Sequence, residues 1–359
     1  MIFCDRLAFI CGKNVKLLIT ANTAPFLPGG ADYHIEGLTA TLRRHGHEVV
    51  CLRFPFQFPS PAAISALMEF CADYDLKAPN GVRIDKVISL QFPDYGVLHD
   101  DHTLWLMHQH RAAYELYDEA RATPDERRLR DRIREFDDRM LGRIGRRFAN
   151  SGWVAERLHH CNGLEAEPLY HPPYNAERFC CRPAYDYIFF PSRLETLKRQ
   201  DLLIEAARMT RSPVGFLIAG AGGQQPRYQR LIETHGLGHK VRLLGPISEE
   251  EKLVYYARCR AVFFGPRDED YGYVTLEAML SAKPVITCTD SGGPLELVEH
   301  EGTGLIVALE PAAVAAAIDR LYDDSALVVA LLGQAGRRRY RELEISWERV
   351  VARLLGPTD

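Results

Sequence analysis

Ala261-Val262-Phe263-Phe264-Gly265-Pro266-Arg267-Asp268-Glu269-Asp270-Tyr271-Gly272-Tyr273-Val274-Thr275-Leu276-Glu277-Ala278-Met279 reads as one β/α step. The run from Ala261 to Gly265 is short, apolar and closed by Gly-Pro, the pattern of a strand buried on both faces. Residues 268–272 break it, and the spacing predicts a helix from Thr275 to Ser281. The same step recurs on both sides of this segment. Upstream come strand Tyr187–Phe190, helix Gln200–Met209, strand Gly215–Ala219, helix Gln225–His235, strand Val241–Leu244 and helix Ser248–Arg258. Downstream come strand Pro284–Thr287, helix Gly293–Val298 and strand Gly304–Val307. Strands that alternate with helices make a doubly wound parallel sheet.

Nearer the N-terminus, after a loose start over residues 1–14, the order repeats. Strand Val15–Thr20, a loop Ala24–Gly30, a helix from Asp32 to Gly46 and a strand His47–Phe54 are followed by strands at Asp85–Leu90 and Leu104–Met107. A long helical region over Arg121–Arg147 carries Leu129, Ile133, Phe136, Met140, Ile144 and Phe148 at three- and four-residue steps, so one stripe faces a core. Its ten arginines are interspersed with six acids, including Asp125, Glu126 and Asp131. That pattern reads as a salt-bridged solvent face, with contact to an anionic membrane as the functional alternative. Prolines 168, 172, 173 and 183 interrupt both periods. The expected organisation is therefore a Rossmann-like domain over 1–170, a linker over 171–185 and a second Rossmann-like domain over 186–340. A helix over 341–359 packs back on the first domain.

The chain has 359 residues, about twice the usual domain length, so two cores with a cleft between them are expected. The 44 basic and 48 acidic side chains give a net charge of −4 and argue against a nucleic-acid binder. Nine scattered cysteines without C-x-x-C spacing point to a reducing cytosol and away from zinc. No stretch has the length of a membrane span or the order of a signal peptide. The expected location is cytoplasmic, with peripheral contact at the inner face of the membrane as its variant.

The chemistry concentrates in the opening segment. Glu269 and Glu277 bracket a turn that enters a helix, and N–H groups of Tyr273, Val274 and Thr275 would face a diphosphate at the helix N-terminus. Tyr271 and Gly272 belong to the same cradle. Glu277, one turn inside, could accept hydrogen bonds from ribose hydroxyls; the plain alternative is an acidic first turn that suits the helix dipole. Asp268-Glu269-Asp270 also spells a D-x-D, but no metal is expected. Arg193 and Lys198, in the loop after Phe189-Phe190-Pro191, can both reach a diphosphate leaving group. Gly220-Ala221-Gly222-Gly223 and Gly29-Gly30 are turns that allow close approach of a ligand to the backbone. His108 follows the apolar run Trp105-Leu106-Met107 at a strand end, and His110 alternates onto the same side.

Together these residues resemble the family 4 nucleotide-sugar glycosyltransferases of the GT-B fold. The blocks that carry the resemblance are Pro28-Gly29-Gly30-Ala31-Asp32, Leu42-Arg43-Arg44-His45-Gly46-His47-Glu48-Val49, Ala149-Asn150-Ser151 and Ser192-Arg193-Leu194 with Lys198. It continues through Glu269 to Glu277-Ala278-Met279, Pro284-Val285-Ile286 and Gly292-Gly293-Pro294-Leu295-Glu296. The resemblance implies an α/β GT-B fold, with two doubly wound domains facing across a cleft, and a retaining, metal-independent hexosyl transfer. The donor would be a nucleotide-diphosphate sugar, with no further cofactor. The acceptor would be a saccharide, as in polysaccharide biosynthesis, a lipid-linked saccharide or a small molecule. Counterparts of Arg193 and Lys198 hold the pyrophosphate, that of Glu277 the ribose, and that of Glu269 the donor sugar near its reacting carbon. Leu244-Gly245 borders the base, Gly29-Gly30 approaches phosphate or acceptor, and His108 lies beside the C6 hydroxyl. Three departures stand out: Tyr271-Gly272 for Phe-Gly, Lys198-Arg199 for Lys-Gly, and Ser281-Ala282-Lys283-Pro284 for Cys/Ala-Gly-x-Pro. Competing readings on the same scaffold are a nucleotide-sugar epimerase and a non-catalytic nucleotide-sugar-binding protein.

Overall fold

The computed structural model describes residues 14–26 and 29–356. The loose start up to residue 13 and Pro28 of the first resembling block lie outside the described residues. The chain forms two compact units: residues 1–149, 158–167 and 347–359, and residues 150–157 with 168–346.

In the first unit, β1 (Lys16–Thr23) is followed by α1 (Gly30–Arg44), β2 (Glu48–Pro55) and α2 (Pro61–Asp73). Then come β3 (Lys86–Ser89), β4 (His102–Leu106), α3 (Pro124–Arg143) and β5 (Arg146–Ala149). Helix α4 (Gly152–Asn162) and the two-residue β6 (Glu167–Pro168) both cross the line between the units. The sheet is parallel where its pairing is defined, with order β2-β1-β3-β4-β5-β6, Leu17 opposite Val49 and Ile19 opposite Ile88. Leu17, Leu18 and Ile19 are all buried. Each such side chain stabilises the fold by roughly 1.5–3 kcal/mol. Gly37 of α1 admits an indole: a methyl group there would lie 2.1 Å from the Trp347 ring. That ring opens the last helix, which buries Val350, Val351 and Leu354.

The region 121–147 differs from the expected single helix. Thr123 caps α3 by accepting from Glu126 N at 3.3 Å, and the helix ends at Arg143. Phe148, which continues the helical spacing, is instead a buried residue of β5 beside β4. Its four-residue step from Ile144 is met by a turn and a strand because the apolar positions alone do not separate the two periods. The arginines pair with acids: Arg128 with Asp125, Arg132 with Glu69 at 2.7 Å, and Arg127 and Arg130 with Glu119 at 3.4 and 3.6 Å. None of the helices among the described residues is long and apolar enough to cross a membrane.

The second unit runs β7 (Tyr187–Pro191), α5 (Gln200–Met209), β8 (Gly215–Ala219), α6 (Gln225–Thr234), β9 (Val241–Gly245) and α7 (Glu249–Arg258). It continues with β10 (Ala261–Phe263), α8 (Tyr273–Leu280), β11 (Val285–Cys288), α9 (Pro294–Leu297) and β12 (Gly304–Val307). Helices α10 (Pro311–Asp323) and α11 (Ala326–Glu342) follow, and α12 (Trp347–Leu355) returns to the first unit. All six strands are parallel, in the order β12-β11-β10-β7-β8-β9. Phe189, Phe190, Phe216 and Phe263 fill its core. Both sheets and the helices around them make the α/β GT-B architecture that the resemblance implies.

Strand order decides where a ligand can sit. In the second unit the chain leaves β7 toward β8 on one side and returns to it as β10 on the other. Connections therefore diverge between the C-terminal ends of β7 and β10, which opens a crevice there. In the first unit the corresponding divergence lies between β1 and β3.

A buried carboxylate also ties the first unit together. Asp137 of α3 accepts from Tyr95 Oη at 2.6 Å and Tyr114 Oη at 2.7 Å. Burial pushes its carboxyl up to about 7, against the two tyrosine hydrogen bonds. The folded protein then keeps this proton up to neutrality, whereas the unfolded chain gives it up at the ordinary carboxylate pKa, so this group's contribution to stability falls as pH rises between about 4 and 7. Asp137→Asn carries no charge. Its stability relative to the parent should rise from pH 5 to pH 8 in urea unfolding, and a pH-independent difference contradicts this.

Candidate functional site

The ends of β7 and β10 bring Lys198 and Glu269 together, with Arg193 on the loop between β7 and α5. After β7, Ser192 N donates to Ala219 O at 2.9 Å and Leu194 N to Ala221 O at 2.9 Å, which seats the Arg193 loop on the β8 turn. Gly220 and Gly222 are required by this seat: a methyl group would lie 2.1 Å from Ser192 O or 2.4 Å from Leu194 O. The close approach allowed by the glycine turn is therefore to the protein's own backbone. Arg193 is exposed and joins no ion pair among the described residues. Lys198 forms an ion pair with Glu269 Oε2, and both side chains are four-fifths or more enclosed.

The loop carrying Glu269 is held on its main chain. Glu269 N donates to Ser291 O at 2.9 Å, and Gly293 N donates to Glu269 O at 2.8 Å. Gly292, at φ +73°, permits this contact, since a methyl group there would lie 2.5 Å from Glu269 O. The loop is held on its side chains as well. Arg157 reaches Asp270 Oδ1 at 2.5 Å and Asp268 Oδ1 at 3.1 Å. Ser151 Oγ donates to Asp270 O at 2.5 Å. The two outer acids of the D-x-D thus face a guanidinium.

Helix α8 starts at Tyr273, two residues earlier than the spacing predicts, because Gly272 takes the left-handed conformation at φ +86° and turns the chain into the helix. Thr275 N is not left for a ligand: it donates to Gly272 O at 2.9 Å. Glu277 is buried and doubly held, by Lys252 Nζ at 3.0 Å and Tyr256 Oη at 2.6 Å. Burial lowers the Lys252 ammonium pKa, but Glu277 and Glu249 outweigh it and raise it overall. Val274 packs against the core, and Leu244 and Gly245 end β9, with Gly245 at φ +72°. Tyr271 does not line a surface. It is buried, accepts from His171 N at 2.9 Å, donates to His171 O and stacks on the His171 ring at 4.7 Å. Enclosure holds His171 neutral, with its pKa lowered to about 3.

Gly29, Gly30 and His108 belong to the first unit. Gly29 caps α1, with its N–H on Asp32 Oδ2 at 3.0 Å, and Gly30 is the first residue of that helix. His108 is half-buried, with Nδ1 2.7 Å from Gln109 O. His110 is packed against Phe92 and Phe56, with ring centres 5.1 and 5.9 Å away, and burial lowers its pKa to about 4, with His108 the smaller cause. The two histidines are thus separated: His110 sits as a neutral ring in an aromatic nest, and His108 is the one beside the strand end without such a nest.

Sequence reasoning missed Arg157, Ser151, Lys252 and Tyr256 as partners of the site, and Glu296 as the anchor of α4. Glu296 accepts from Gly152 N at 2.9 Å and also from Trp153 N and Tyr170 Oη. Burial raises its pKa, against those hydrogen bonds. Trp153 and Arg157 are four residues apart and both reach Asp268, a helical spacing that was available once α4 was recognised.

Residues 182–339 match the family described as glycosyl transferases group 1. Alpha-1,3/1,6-mannosyltransferase ALG2 of Homo sapiens is 34% identical over 114 residues, 32% of this chain and 27% of that protein. D-inositol 3-phosphate glycosyltransferase of Corynebacterium urealyticum is 31% identical over 179 residues, 47% of this chain and 41% of that protein. The chain thus spans less than half the length of these two relatives. Among solved structures, sucrose-phosphate synthase from Thermosynechococcus elongatus aligns with a TM-score of 0.73 at 19% identity, covering 95% of this chain and 96% of that one. Anabaena Alr3699/HepE in complex with UDP-glucose aligns with a TM-score of 0.70 at 17% identity, covering 95% and 98%.

Removing the Glu277 carboxylate should strand a buried ammonium, as breaking a buried pair by deleting one partner does. Because Lys252 keeps Glu249 at 3.0 Å, Glu277→Ala is expected to lose about 2 kcal/mol in urea unfolding, below the full cost of such a break. A loss under about 0.5 kcal/mol, the range of ordinary surface changes, contradicts this.

Proposed function

We propose that the chain is a retaining, metal-independent glycosyltransferase that moves a sugar from a nucleotide-diphosphate sugar to a saccharide, lipid-linked or small-molecule acceptor. The observation that carries this reading is the Lys198–Glu269 pair at the β7/β10 switch, with Arg193 exposed on the loop that leads to Lys198 and in no ion pair among the described residues. An ammonium has three donors, so Lys198 can keep Glu269 and still donate to a phosphate oxygen. Arg193 supplies a planar fork for the same diphosphate. The start of α8 adds the positive end of a helix dipole, and Glu277, whose oxygens each retain accepting capacity beside Lys252 and Tyr256, faces the ribose. Leu244 and Gly245 border the base. On the first unit, His108 and Gly29-Gly30 serve the acceptor side.

In the transfer, the bond from the anomeric carbon to the diphosphate oxygen breaks, and its electron pair stays on that oxygen. The acceptor oxygen bonds to the same face of the carbon, and its proton passes to the leaving diphosphate. Arg193 and Lys198 stabilise the charge that grows there. Glu269 lies beside the carbon that becomes electron-poor, where a carboxylate favours positive charge. Arg157, by occupying Asp268 and Asp270, supports the metal-free form of this reading.

With a panel of UDP-, GDP- and ADP-sugars, one donor should release its nucleoside diphosphate at a rate unaffected by EDTA. Lys198→Ala should lower that turnover by about 10²- to 10³-fold, the loss seen when one charge-stabilising donor is removed. Unchanged turnover at saturating donor removes Lys198 from the mechanism, and turnover abolished by EDTA removes the metal-free reading.

A further inference from the structure

We propose that Arg157 is a positioning residue: its guanidinium grips Asp268 and Asp270 so that the Glu269 carboxylate between them stays on Lys198. This rests on the transferase reading given above. Three consecutive carboxylates repel one another, and an unbraced loop would splay them toward water. Here the repulsion is divided between two cations. Arg157, 8% exposed at its side chain, takes the outer pair at 2.5 and 3.1 Å, and Lys198 takes the middle one.

The geometry of the grip is that of a device for placing a loop. Asp268 is at φ +50°, in the left-handed region, which aspartate enters more readily than most non-glycine residues. Its main chain is tied by Asp268 N to Asp290 O at 3.0 Å, and its side chain by Arg157 and Trp153 Nε1. Arg157 itself is carried by the first turns of α4, whose N-terminal N–H groups are anchored on Glu296. Glu296 follows Gly292-Gly293, the same two residues that receive the Glu269 main chain. The brace is therefore closed: Gly292 and Gly293 hold the loop backbone, Glu296 holds α4, and α4 holds the loop side chains through Arg157. Arg157 takes the two carboxylates through separate nitrogens, Nη1 to Asp270 and Nη2 to Asp268, as the planar fork of a guanidinium allows.

Two readouts test the assignment. Hydrogen exchange of the 268–272 amides needs no donor: Arg157→Ala should speed it by about tenfold, the equivalent of about 1.4 kcal/mol of local protection, and an unchanged rate overturns the proposal. Nucleoside diphosphate release is measured with the UDP-, GDP- or ADP-sugar that the parent turns over. Here Arg157→Ala should lower kcat by about 10²-fold, the cost of a displacement of about 1 Å, with donor KM within about threefold. Guanidinium ion at about 20 mM should recover at least part of that loss in Arg157→Ala and none in Lys198→Ala, because it refills only the vacated fork. Parent-like kcat in the folded variant, or a loss that guanidinium leaves untouched, overturns the proposal. If Arg157→Ala does not fold, Asp270→Asn replaces it, with kcat expected about tenfold lower for loss of one of two charge-assisted bonds; parent-like kcat there also overturns it. Faster exchange in a chain whose parent turns over no donor retains the brace and rejects the transferase reading instead.

Discussion

Three carboxylates in succession, Asp268, Glu269 and Asp270, are largely enclosed, and cations on two sides relieve their repulsion there. Arg157 meets the outer two and Lys198 the middle one. Much of the surrounding architecture serves that division. The β7/β10 switch brings the Lys198 loop to the loop after β10. Glycines at 292 and 293 let the backbones touch, and Glu296 fixes the helix that carries Arg157. Among the described residues Arg193 joins no ion pair and Lys198 pairs only with Glu269, and these are the two cations of the diphosphate site proposed above.

Much of the fold was legible. Strands buried on both faces show as unbroken apolar runs, so β7, β8, β9, β11 and β12 were placed within a residue or two. Elements were missed where the pattern is ambiguous or crowded. Phe148 keeps the helical spacing of α3 and so concealed β5, and α2 and α4 were not read at all. The missing α4 had the larger consequence, because it hid Arg157 and left the D-x-D looking like a free acidic pair. Long-range ion pairs of this kind have no sequence period: Arg157 and Asp268 are 111 positions apart.

The departures from the resembling family have a shared physical character. Where that family shows glycine, this chain has Arg199 at φ +59° and Ala282 at φ +50°, both in the left-handed region. Each non-glycine residue holds that conformation at a cost of about 1–2 kcal/mol. Arg199 has a compensation in its two 2.7 Å bonds to Asp290, whose carboxyl they hold below its ordinary pKa. Ala282 closes a tight contact instead, since its carbonyl lies where a side chain at Gly333 would be. Tyr271 in place of phenylalanine adds a hydroxyl that binds both main-chain groups of His171.

The diphosphate site proposed here lies at the ends of β7 and β10, on Arg193 and Lys198. A crystal structure of the chain with UDP, GDP or ADP tests it most directly. Diphosphate density is expected at those strand ends, with phosphate oxygens about 2.7–2.9 Å from the Lys198 ammonium and the Arg193 guanidinium, as charge-assisted bonds require. A nucleotide seated elsewhere on the second unit, or at these strand ends with both cations turned away, would contradict it.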